Sequence, residues 1–379
     1  MKARAVALSF ARRLAIAALT VTALALPRAL PAGAGARHPE ADGLAHAARQ
    51  AADAIRLHQK PGGYWANPTT PRPVFAQPVL EANTFVPSIV LELIEPIARE
   101  TGLADTVARA RGYLRDQFED NGLVRYHGRP GAAYIQPFVC VITPDADDTA
   151  LAWRLASPND ATRLRSALRV LERYRTEDGL YRTWLSSREA YQCVEPGDDP
   201  NPADVGINMH LYLFFARYDP PAARALCQAL RRTIAEDRIW VYYKSAPLVP
   251  VLREADLARA GCRVRVPGHR LQTVPAGQER YLALARAFAA LLGRETAPPA
   301  VETPPAVETV VAGLKALADA SFERLRETPP LLYHNDLSAA TPRFHWSEDV
   351  GYALWLRVYL AAGRRWPERL GPVVKAVRP

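Results

Sequence analysis

Residues 113–123, YLRDQFEDNGL, recur 57 positions later as VLERYRTEDGL at residues 170–180. Both copies have the apolar spacing of an amphipathic helix, and both end in an Asn-Gly or Asp-Gly pair that is typical of a helix C-terminus. A short aromatic stretch, a long loop and an apolar helix with an acidic start follow each copy. A repeat of this length predicts stacked helical hairpins.

The same 3.6-residue periodicity predicts helices along the rest of the chain, and no region is rich in strands. The eleven predicted helices lie near residues 39–58, 84–100, 104–119, 145–157, 159–175, 203–217, 220–235, 246–260, 277–293, 308–327 and 346–363. Because an (α/α)6 barrel has twelve helices, we expect an all-α protein with a single (α/α)6 barrel, or toroid, in which one helix is irregular. The Pro-rich residues 296–305 predict an exposed connection between barrel helices.

Residues 1–36 have the pattern of a targeting segment. Basic residues precede an apolar run at residues 14–26, and small residues follow at 31–36. The apolar run is short for a membrane span, so we expect a signal peptide, with an uncleaved N-terminal anchor as the alternative. The sequence therefore predicts an exported protein, periplasmic or secreted, or one anchored to the membrane. Residues 37–379 would form the barrel domain.

Much of the positive charge of the chain lies in this leader. The full chain has a formal net charge of +9 at pH 7, and the leader holds five basic residues and no acidic one. Without the leader the charge falls to +4, with basic and acidic residues interspersed along the helices. This pattern predicts a solvated surface and argues against nucleic-acid binding.

Four cysteines lie far apart in the sequence, which argues against a zinc site. They are Cys140, Cys193, Cys227 and Cys262. In an oxidising compartment they allow two disulfides in three pairings, and proximity in sequence favours Cys140 with Cys193 and Cys227 with Cys262. Free buried thiols are the alternative.

An acidic cluster opens one of the apolar helices. Residues 145–150, DADDTA, place three carboxylates within four positions. Like charges at this spacing cannot all ionise cheaply, so at least one carboxyl group should have a raised pKa and could act as a Brønsted acid at neutral pH. The alternative is structural, since an Asp at the N-cap with further acids in the first turn stabilises a helix start.

The cluster resembles the DxDDTA motif of class II terpenoid cyclases, which include squalene-hopene and diterpene cyclases, and fits it at every fixed position. Residues 59–65, QKPGGYW, are similar to the QxxxGxW repeat motif of the same prenyltransferase and squalene cyclase superfamily. The resemblance implies an (α/α)6 toroid that protonates an alkene or epoxide and so starts a carbocation cascade. Asp147 would be the general acid, and Asp145 and Asp148 would tune its acidity. We expect no metal and no cofactor.

The long loops before the inner helices should gather at one end of the barrel, around a cup. Asp204 and Asn208 lie four positions apart on one helical face, and the repeat aligns Asp204 with Asp147. The residues expected to contact a substrate in the cup are Asp204, Asn208, Tyr243, His345 and Trp346. Capping of helix starts is the alternative for the polar members, and core packing for the aromatic ones.

The sequence contains no DDxxD motif, GxSxG elbow, phosphate-binding loop or HExxH motif. Ionisation-type terpene synthesis, serine hydrolysis, nucleotide use and zinc proteolysis are therefore disfavoured. Three functions remain: class II cyclisation of an isoprenoid, a carbohydrate-active (α/α)6 hydrolase or lyase, and a non-catalytic exported toroid that binds a lipid or peptide. We expect a hydrophobic small molecule or lipid as ligand, no nucleic acid, and a surface compatible with peripheral membrane association. The oligomeric state stays open.

Overall fold

The computed structural model describes residues 39–129, 142–191, 201–241, 246–271, 276–293, 306–334 and 343–370. The helices in these residues are α1 (Pro39–His58), α2 (Phe85–Ile94), α3 (Ala104–Asp116), α4 (Ala146–Ala156), α5 (Ala161–Arg173), α6 (Val205–Tyr218), α7 (Pro220–Ala235), α8 (Leu248–Arg259), α9 (Glu279–Gly293), α10 (Val307–Glu327), α11 (Glu348–Arg365) and α12 (Pro367–Leu370). Residues 319–322 depart from helical dihedral angles, so α10 is kinked. No helix in the described residues combines the length and hydropathy needed to cross a bilayer.

Six of the helices pack side by side in a closed ring. Helix α2 contacts α4, α4 contacts α6, α6 contacts α8, α8 contacts α9, α9 contacts α11, and α11 returns to α2. Other helices lie outside this ring: α3 packs against α2 and α4, α7 against α6, and α1 and α10 against α11. The protein is therefore an all-α toroid, as the sequence predicts.

The inner and outer helices differ in how much of their surface is buried. In α4 ten of eleven residues are buried, and in α2 nine of ten. In the outer helix α5 the buried residues are Ala167 and Leu171, four positions apart on one face. A helix enclosed on all sides must be mostly apolar around its circumference, whereas an outer helix needs a single apolar stripe.

All eleven predicted helices are present, and most of their ends lie close to those expected. The largest difference is at α2, which ends at Ile94 and continues as a 3-10 turn, Glu95–Ile97. Pro96 lies in that turn and has no backbone N–H to continue the helix. The barrel is irregular between the inner helices α8 and α9. Where an outer helix is expected, the described residues form one 3-10 turn, Gly268–Arg270.

A small antiparallel sheet is the part of the fold that the sequence analysis missed. Its strands are β1 (Asn67–Thr70), β2 (Val79–Glu81), β3 (Leu331–His334) and β4 (Phe344–Trp346), in the order β2-β1-β4-β3. Strands of three or four residues are too short to show an alternating pattern. Because Thr69 of β1 pairs with His345 of β4, the sheet joins the first hairpin of the ring to the last.

Glycine turns follow the first three outer helices. Gly63, Gly122 and Gly179 have positive φ angles of 91°, 81° and 81°, a conformation that residues with a Cβ atom adopt at a cost. A Cβ atom on Gly122 would lie 2.4 Å from the carbonyl oxygen of Arg163 in α5, and one on Gly63 would lie 2.5 Å from that of Arg109 in α3. The first two turns therefore pack directly against the backbone of the next outer helix.

The segment that resembles a QxxxGxW motif forms the first of these turns. The Gln59 side-chain amide donates hydrogen bonds of 2.9 Å to the carbonyl oxygens of Gly63 and Thr106. The Trp65 indole N–H donates to the carbonyl oxygen of Ile55 at 2.8 Å. Gln59 and Trp65 therefore fasten the turn to its own helix, α1, and to the next outer helix, α3.

A disulfide bond joins Cys227 in α7 to Cys262, which follows α8. One of the two pairings that the sequence favours is therefore present. Cys140 and Cys193 lie outside the described residues, as do residues 1–36, so the second pairing and the nature of the leader stay predictions.

Replacing Gly122 by Ala should destabilise the protein, because the new Cβ atom meets the Arg163 carbonyl group. The left-handed backbone conformation alone costs an L-residue about 1–2 kcal/mol, so we expect the free energy of unfolding to fall by at least ~2 kcal/mol in a denaturant titration. Gly112→Ala in α3 is the matched control, since nothing lies within 4 Å of its new Cβ atom. That variant should gain about 0.5–1 kcal/mol. Equal stabilities of the two variants would contradict the role of the turn.

Candidate active site

The acidic cluster lies at the start of α4, at one end of the ring. Asp145 is the N-cap residue, and its Oδ1 accepts the backbone N–H of Asp148 at 2.7 Å. The exposed fractions of Asp145, Asp147 and Asp148 are 3%, 6% and 3%, so Asp147 has the most access to its surroundings. Asp145 does the capping, whereas the side chains of Asp147 and Asp148 bond to neighbouring helices.

Asp147 is paired with a histidine of the adjacent inner helix. Its Oδ1 contacts Nδ1 of His210 in α6, and His210 is fully buried. His210 is not among the site residues predicted from the sequence. The sequence does contain one indication of its role. His210 is a single histidine among apolar residues of a predicted inner helix, where a buried imidazole needs a polar partner.

Asp148 bonds to the inner helix on the other side. Its carboxyl group accepts a hydrogen bond from the hydroxyl of Thr84, the residue before α2. The backbone N–H of Thr84 donates to the carbonyl oxygen of Tyr126 at 2.8 Å, which fixes its position. The acidic cluster therefore links the N-terminal halves of three successive inner helices, α2, α4 and α6.

Burial and mutual repulsion raise the pKa of two carboxyl groups in the cluster. Desolvation, followed by the charges of Asp148 and Asp147, raises the pKa of Asp145 well above its usual value. Desolvation and the charge of Asp147 raise the pKa of Asp148 to about 8. With a pKa of about 8, Asp148 is mostly protonated at neutral pH, and the raised pKa of Asp145 acts in the same direction, which reduces the repulsion among the three carboxyl groups.

A layer of buried ion pairs lies deeper in the ring. Glu92 in α2 pairs with Arg154 in α4 and, at 2.5 Å, with Arg253 in α8. Arg253 also pairs with Asp256 at 3.0 Å. Burial would raise the pKa of Glu92, but the charges of Arg154 and Arg253 lower it to about 2. Because Glu92 comes eight residues after Thr84, this ion-pair layer lies about 12 Å below the acidic cluster along α2.

A second polar network lies where the sheet meets α2, and we call it the Glu81 network. His345 Nδ1 lies 3.4 Å from Glu81 Oε1 and 2.8 Å from Asn67 Nδ2. The Tyr333 hydroxyl donates to the Tyr126 hydroxyl, which donates to Glu81. Burial would raise the pKa of Glu81, but the hydrogen bond and charge of His345 and the Tyr126 hydrogen bond lower it to about 2. Glu81 is therefore ionised at neutral pH.

An aromatic side chain lies between the acidic cluster and the Glu81 network. The ring centroid of Phe85, the first residue of α2, is 6.4 Å from that of His210 and 5.2 Å from that of Tyr333. An aromatic face attracts a cation through its quadrupole. A positive charge that moved from the acid toward the network would therefore pass a stabilising surface.

Asp204 and Asn208 stabilise the start of α6. Asp204 is the N-cap and accepts a backbone N–H at 2.8 Å. The Asn208 amide bonds to the backbone N–H and carbonyl of Tyr181, at 2.8 and 2.9 Å. The starts of α4 and α6 are 59 positions apart, not the 57 of the sequence repeat. The structural counterpart of Asp204 is therefore the N-cap Asp145 and not Asp147. Binding of a substrate by Asp204 or Asn208 stays a prediction.

The three remaining predicted residues are divided between the sheet and a segment outside the described residues. His345 belongs to the Glu81 network. Its contacts given above are with Asn67 and Glu81 and not with the acidic cluster. Trp346 is buried in β4, where Phe75 packs edge-on against its ring with centroids 5.7 Å apart. Tyr243 lies outside the described residues.

A surface groove of about 310 Å³ lies on the outside of the ring, near α6, α7 and the disulfide. Tyr212, Ala216, Cys227 and Gly261 are among its lining residues, and no member of the acidic cluster is. In the part of the chain that the structure describes, no three His, Cys, Asp or Glu side chains are grouped to hold a metal ion.

Neither a protein-family model nor a curated protein matches the chain. Solved structures do match. A variant of the type II terpene cyclase MstE from Scytonema, in complex with geranylgeranyl dihydroxybenzoate, matches 86% of this chain and 99% of its own at 16% sequence identity and a TM-score of 0.47. A protein from Actinoplanes matches 84% of this chain and 99% of its own at 17% identity and a TM-score of 0.47.

A second MstE variant, in complex with the product merosterolic acid A, matches 86% of this chain and 99% of its own at 15% identity and a TM-score of 0.46. Solved structures similar to this chain thus include type II terpene cyclases, the family whose acidic motif the sequence resembles. The assignment of the toroid itself rests on the closed ring of inner helices.

Replacing Asp148 by Asn should flatten the dependence of stability on pH. The pKa of Asp148 is raised to about 8 in the folded protein and is about 4 in an unfolded chain. Between these values the folded protein keeps a proton that the unfolded chain has lost, so the free energy of unfolding falls as pH rises, by at most ~1.4 kcal/mol per pH unit for one group. The variant lacks this proton, and denaturant titrations across that range should show a shallower slope.

Asp160→Asn is the matched control for this measurement. Asp160 is the N-cap of α5 with 42% of its side chain exposed, and Asn caps a helix as well as Asp does. This control should keep the slope of the wild type. Identical slopes in all three proteins would contradict the raised pKa of Asp148.

Proposed function

We propose that the protein is a class II isoprenoid cyclase in which Asp147 is the general acid. The observation that carries the proposal is the pairing of the buried Asp147 carboxyl with His210, beside two carboxyl groups whose pKa values are raised. The resemblance of residues 145–150 to the DxDDTA motif points to the same residue as the acid.

Capping explains Asp145 but leaves Asp147 and Asp148 unexplained. Their carboxyl groups bond to His210 and Thr84 of the neighbouring helices. A protein that needed acids only to start α4 would gain little from burying two more carboxyl groups, because desolvation of each ionised group costs several kcal/mol. Clusters of buried groups with perturbed pKa values are characteristic of catalytic sites.

In the reactive state that we propose, the acidic cluster carries a proton on Asp147, and in the first step Asp147 gives this proton to a terminal alkene carbon of the substrate. The π electrons of the alkene form the new C–H bond, and a tertiary carbocation remains on the adjacent carbon. His210, with its proton on Nδ1, donates to Oδ1 of Asp147 and stabilises the carboxylate that forms. Because their pKa values are raised, Asp145 and Asp148 repel that carboxylate less than two fully ionised neighbours would.

Positive charge from the ion-pair layer supports the same step. Arg253 is 1% exposed. Burial would lower its pKa, but the charges of Glu92 and Asp256, with a smaller contribution from Asp147, raise it. The same attraction stabilises the negative charge that develops on Asp147 when the proton leaves.

The proposed substrate is an isoprenoid that is available outside the cytosol. We include export in the proposal because residues 1–36 have the pattern of a signal peptide. A membrane-borne polyprenyl lipid or another preformed terpenoid suits an exported enzyme better than a cytosolic isoprenoid diphosphate. Peripheral association with a membrane would bring the cup to such a substrate.

Turnover of isoprenoids by the purified full-length protein tests the proposal, with products identified by gas chromatography and mass spectrometry. Suitable first substrates are polyprenyl alcohols and geranylgeranyl dihydroxybenzoate. Asp147→Asn should lower turnover by about 10²- to 10⁴-fold, the usual contribution of a general acid, without unfolding the protein. Asp219→Asn at the N-cap of the outer helix α7 should keep full turnover.

The outcomes separate the three functions left open by the sequence. Unchanged turnover in the Asp147→Asn variant would eliminate Asp147 as the acid. Binding of these lipids by the wild type without conversion would favour the non-catalytic toroid. Cleavage of oligosaccharides would favour the carbohydrate-active alternative.

His210→Gln should slow the reaction without abolishing it. The variant loses the imidazole that stabilises the carboxylate of Asp147, and removal of one such hydrogen-bond donor lowers kcat by about 10²-fold or more. It should also change the pH profile of kcat, which a purely structural role would leave unmoved. His269→Gln is the matched control, because His269 is 65% exposed and pairs with Asp237 on the surface. Full activity of His210→Gln would contradict the assigned role.

A further inference from the structure

The Glu81 network contains a directional chain of hydroxyl donors. The Tyr333 hydroxyl donates to that of Tyr126, and the Tyr126 hydroxyl donates to Oε1 of Glu81. Asn83 Nδ2 donates to the Tyr126 oxygen at 2.7 Å. Asn67 Nδ2 also lies within donating distance of that oxygen, at 2.9 Å. Since the neighbouring groups are donors to the oxygen, its own hydrogen is directed toward Glu81.

The chain ends in a carboxylate that can accept a proton. Glu81 is 2% exposed and no Arg or Lys is paired with it among the described residues. Its Oε2 is buried without a hydrogen-bond partner in the described part of the chain. A purely structural junction would be as stable with apolar side chains in place of such a network. Burial and the charge of Glu81 raise the pKa of Tyr126 well above its usual value, so Tyr126 holds its proton until Glu81 takes it.

The first donor of the chain, Tyr333, lies beside Phe85, which also neighbours the histidine partner of the acid. The Phe85 ring contacts His210, the partner of Asp147, and Tyr333, the first donor of the chain. Tyr333 is held in place by the His345 ring, which stacks on it with centroids 4.1 Å apart and an angle of 10° between the planes. Tyr333 is 8% exposed, so part of its side chain is accessible.

We propose that Tyr333, Tyr126 and Glu81 form the proton-accepting site that ends the carbocation cascade. This inference rests on the proposed cyclase function and assigns a second catalytic site to it. A C–H bond next to the final carbocation breaks, and its electron pair forms the C=C bond of the product. The proton passes to the Tyr333 oxygen as the Tyr333 proton moves to Tyr126 and the Tyr126 proton moves to Glu81.

The protons balance over one turnover. Asp147 loses one proton at the start, and Glu81 gains one at the end and becomes a neutral carboxylic acid. Both groups then exchange with solvent, and the reaction is an isomerisation of the substrate. A proton donor and a separate proton acceptor near the same aromatic side chain would set how far the positive charge travels, and therefore which alkene forms.

The distribution of products tests this assignment. Wild type, Tyr333→Phe and Glu81→Gln would each be incubated with the isoprenoid that the wild type converts, in deuterium oxide. All three should place one deuterium in the product, because Asp147 still starts the cascade. In both variants the share of the wild-type alkene should fall at least fivefold, replaced by alkene isomers and by alcohols from capture of the cation by water.

Tyr212→Phe is the matched control, since it removes the same hydroxyl from a residue whose hydrogen bond to the Ala260 carbonyl lies at the outer groove. Its product should be that of the wild type. Thermal melting shows whether each variant is folded, and Tyr126→Phe replaces any that is not.

The two proposals fail in different ways. If the folded variants of Tyr333 and Glu81 give the wild-type product, the proton-accepting site is wrong while the cyclase proposal stands. If the wild type incorporates no deuterium and forms no cyclic product, both proposals are wrong.

Discussion

A fully buried imidazole needs a polar partner, and His210 in α6 has the carboxyl group of Asp147 at the start of α4. On the other side of α4, Asp148 receives the hydroxyl hydrogen bond of Thr84 at the start of α2. These two contacts fix the positions of three successive inner helices relative to one another. Because side-chain hydrogen bonds are directional, they also fix which residues of those helices face one another inside the ring.

Two carboxyl groups inside the toroid show how strongly the surroundings of an acid control its pKa. Asp148 is 3% exposed and the side chain of Glu92 is 15% exposed, so both carboxyl groups are largely shielded from water. Asp148 lies beside other carboxyl groups, and its pKa rises to about 8. Glu92 lies between two arginines, and its pKa falls to about 2. The ring thus holds carboxyl groups of raised pKa near its end and a carboxylate of lowered pKa among arginines deeper inside.

The helices could be predicted from the sequence because each has its own periodic signal and its own capping residues. The strands could not, since three or four residues carry no period and their pairing joins opposite ends of the chain. The acidic motif points to Asp147 from the sequence alone, whereas its partner His210 is recognisable only once α4 and α6 lie side by side. Asp204 and Asn208 have the spacing of a ligand pair, yet their hydrogen bonds serve the start of α6.

The Glu81 network was also invisible in the sequence, and for a related reason. Its members come from all four strands of the small sheet and from the turn that follows α3, and none belongs to a motif. The small sheet that brings them together has a consequence for folding. Asn67 and His345, which are hydrogen-bonded across it, are 278 positions apart. A loop of that length closes slowly, and only after almost the whole polypeptide has been synthesised. The ring can therefore close only after nearly all of its helices have been synthesised.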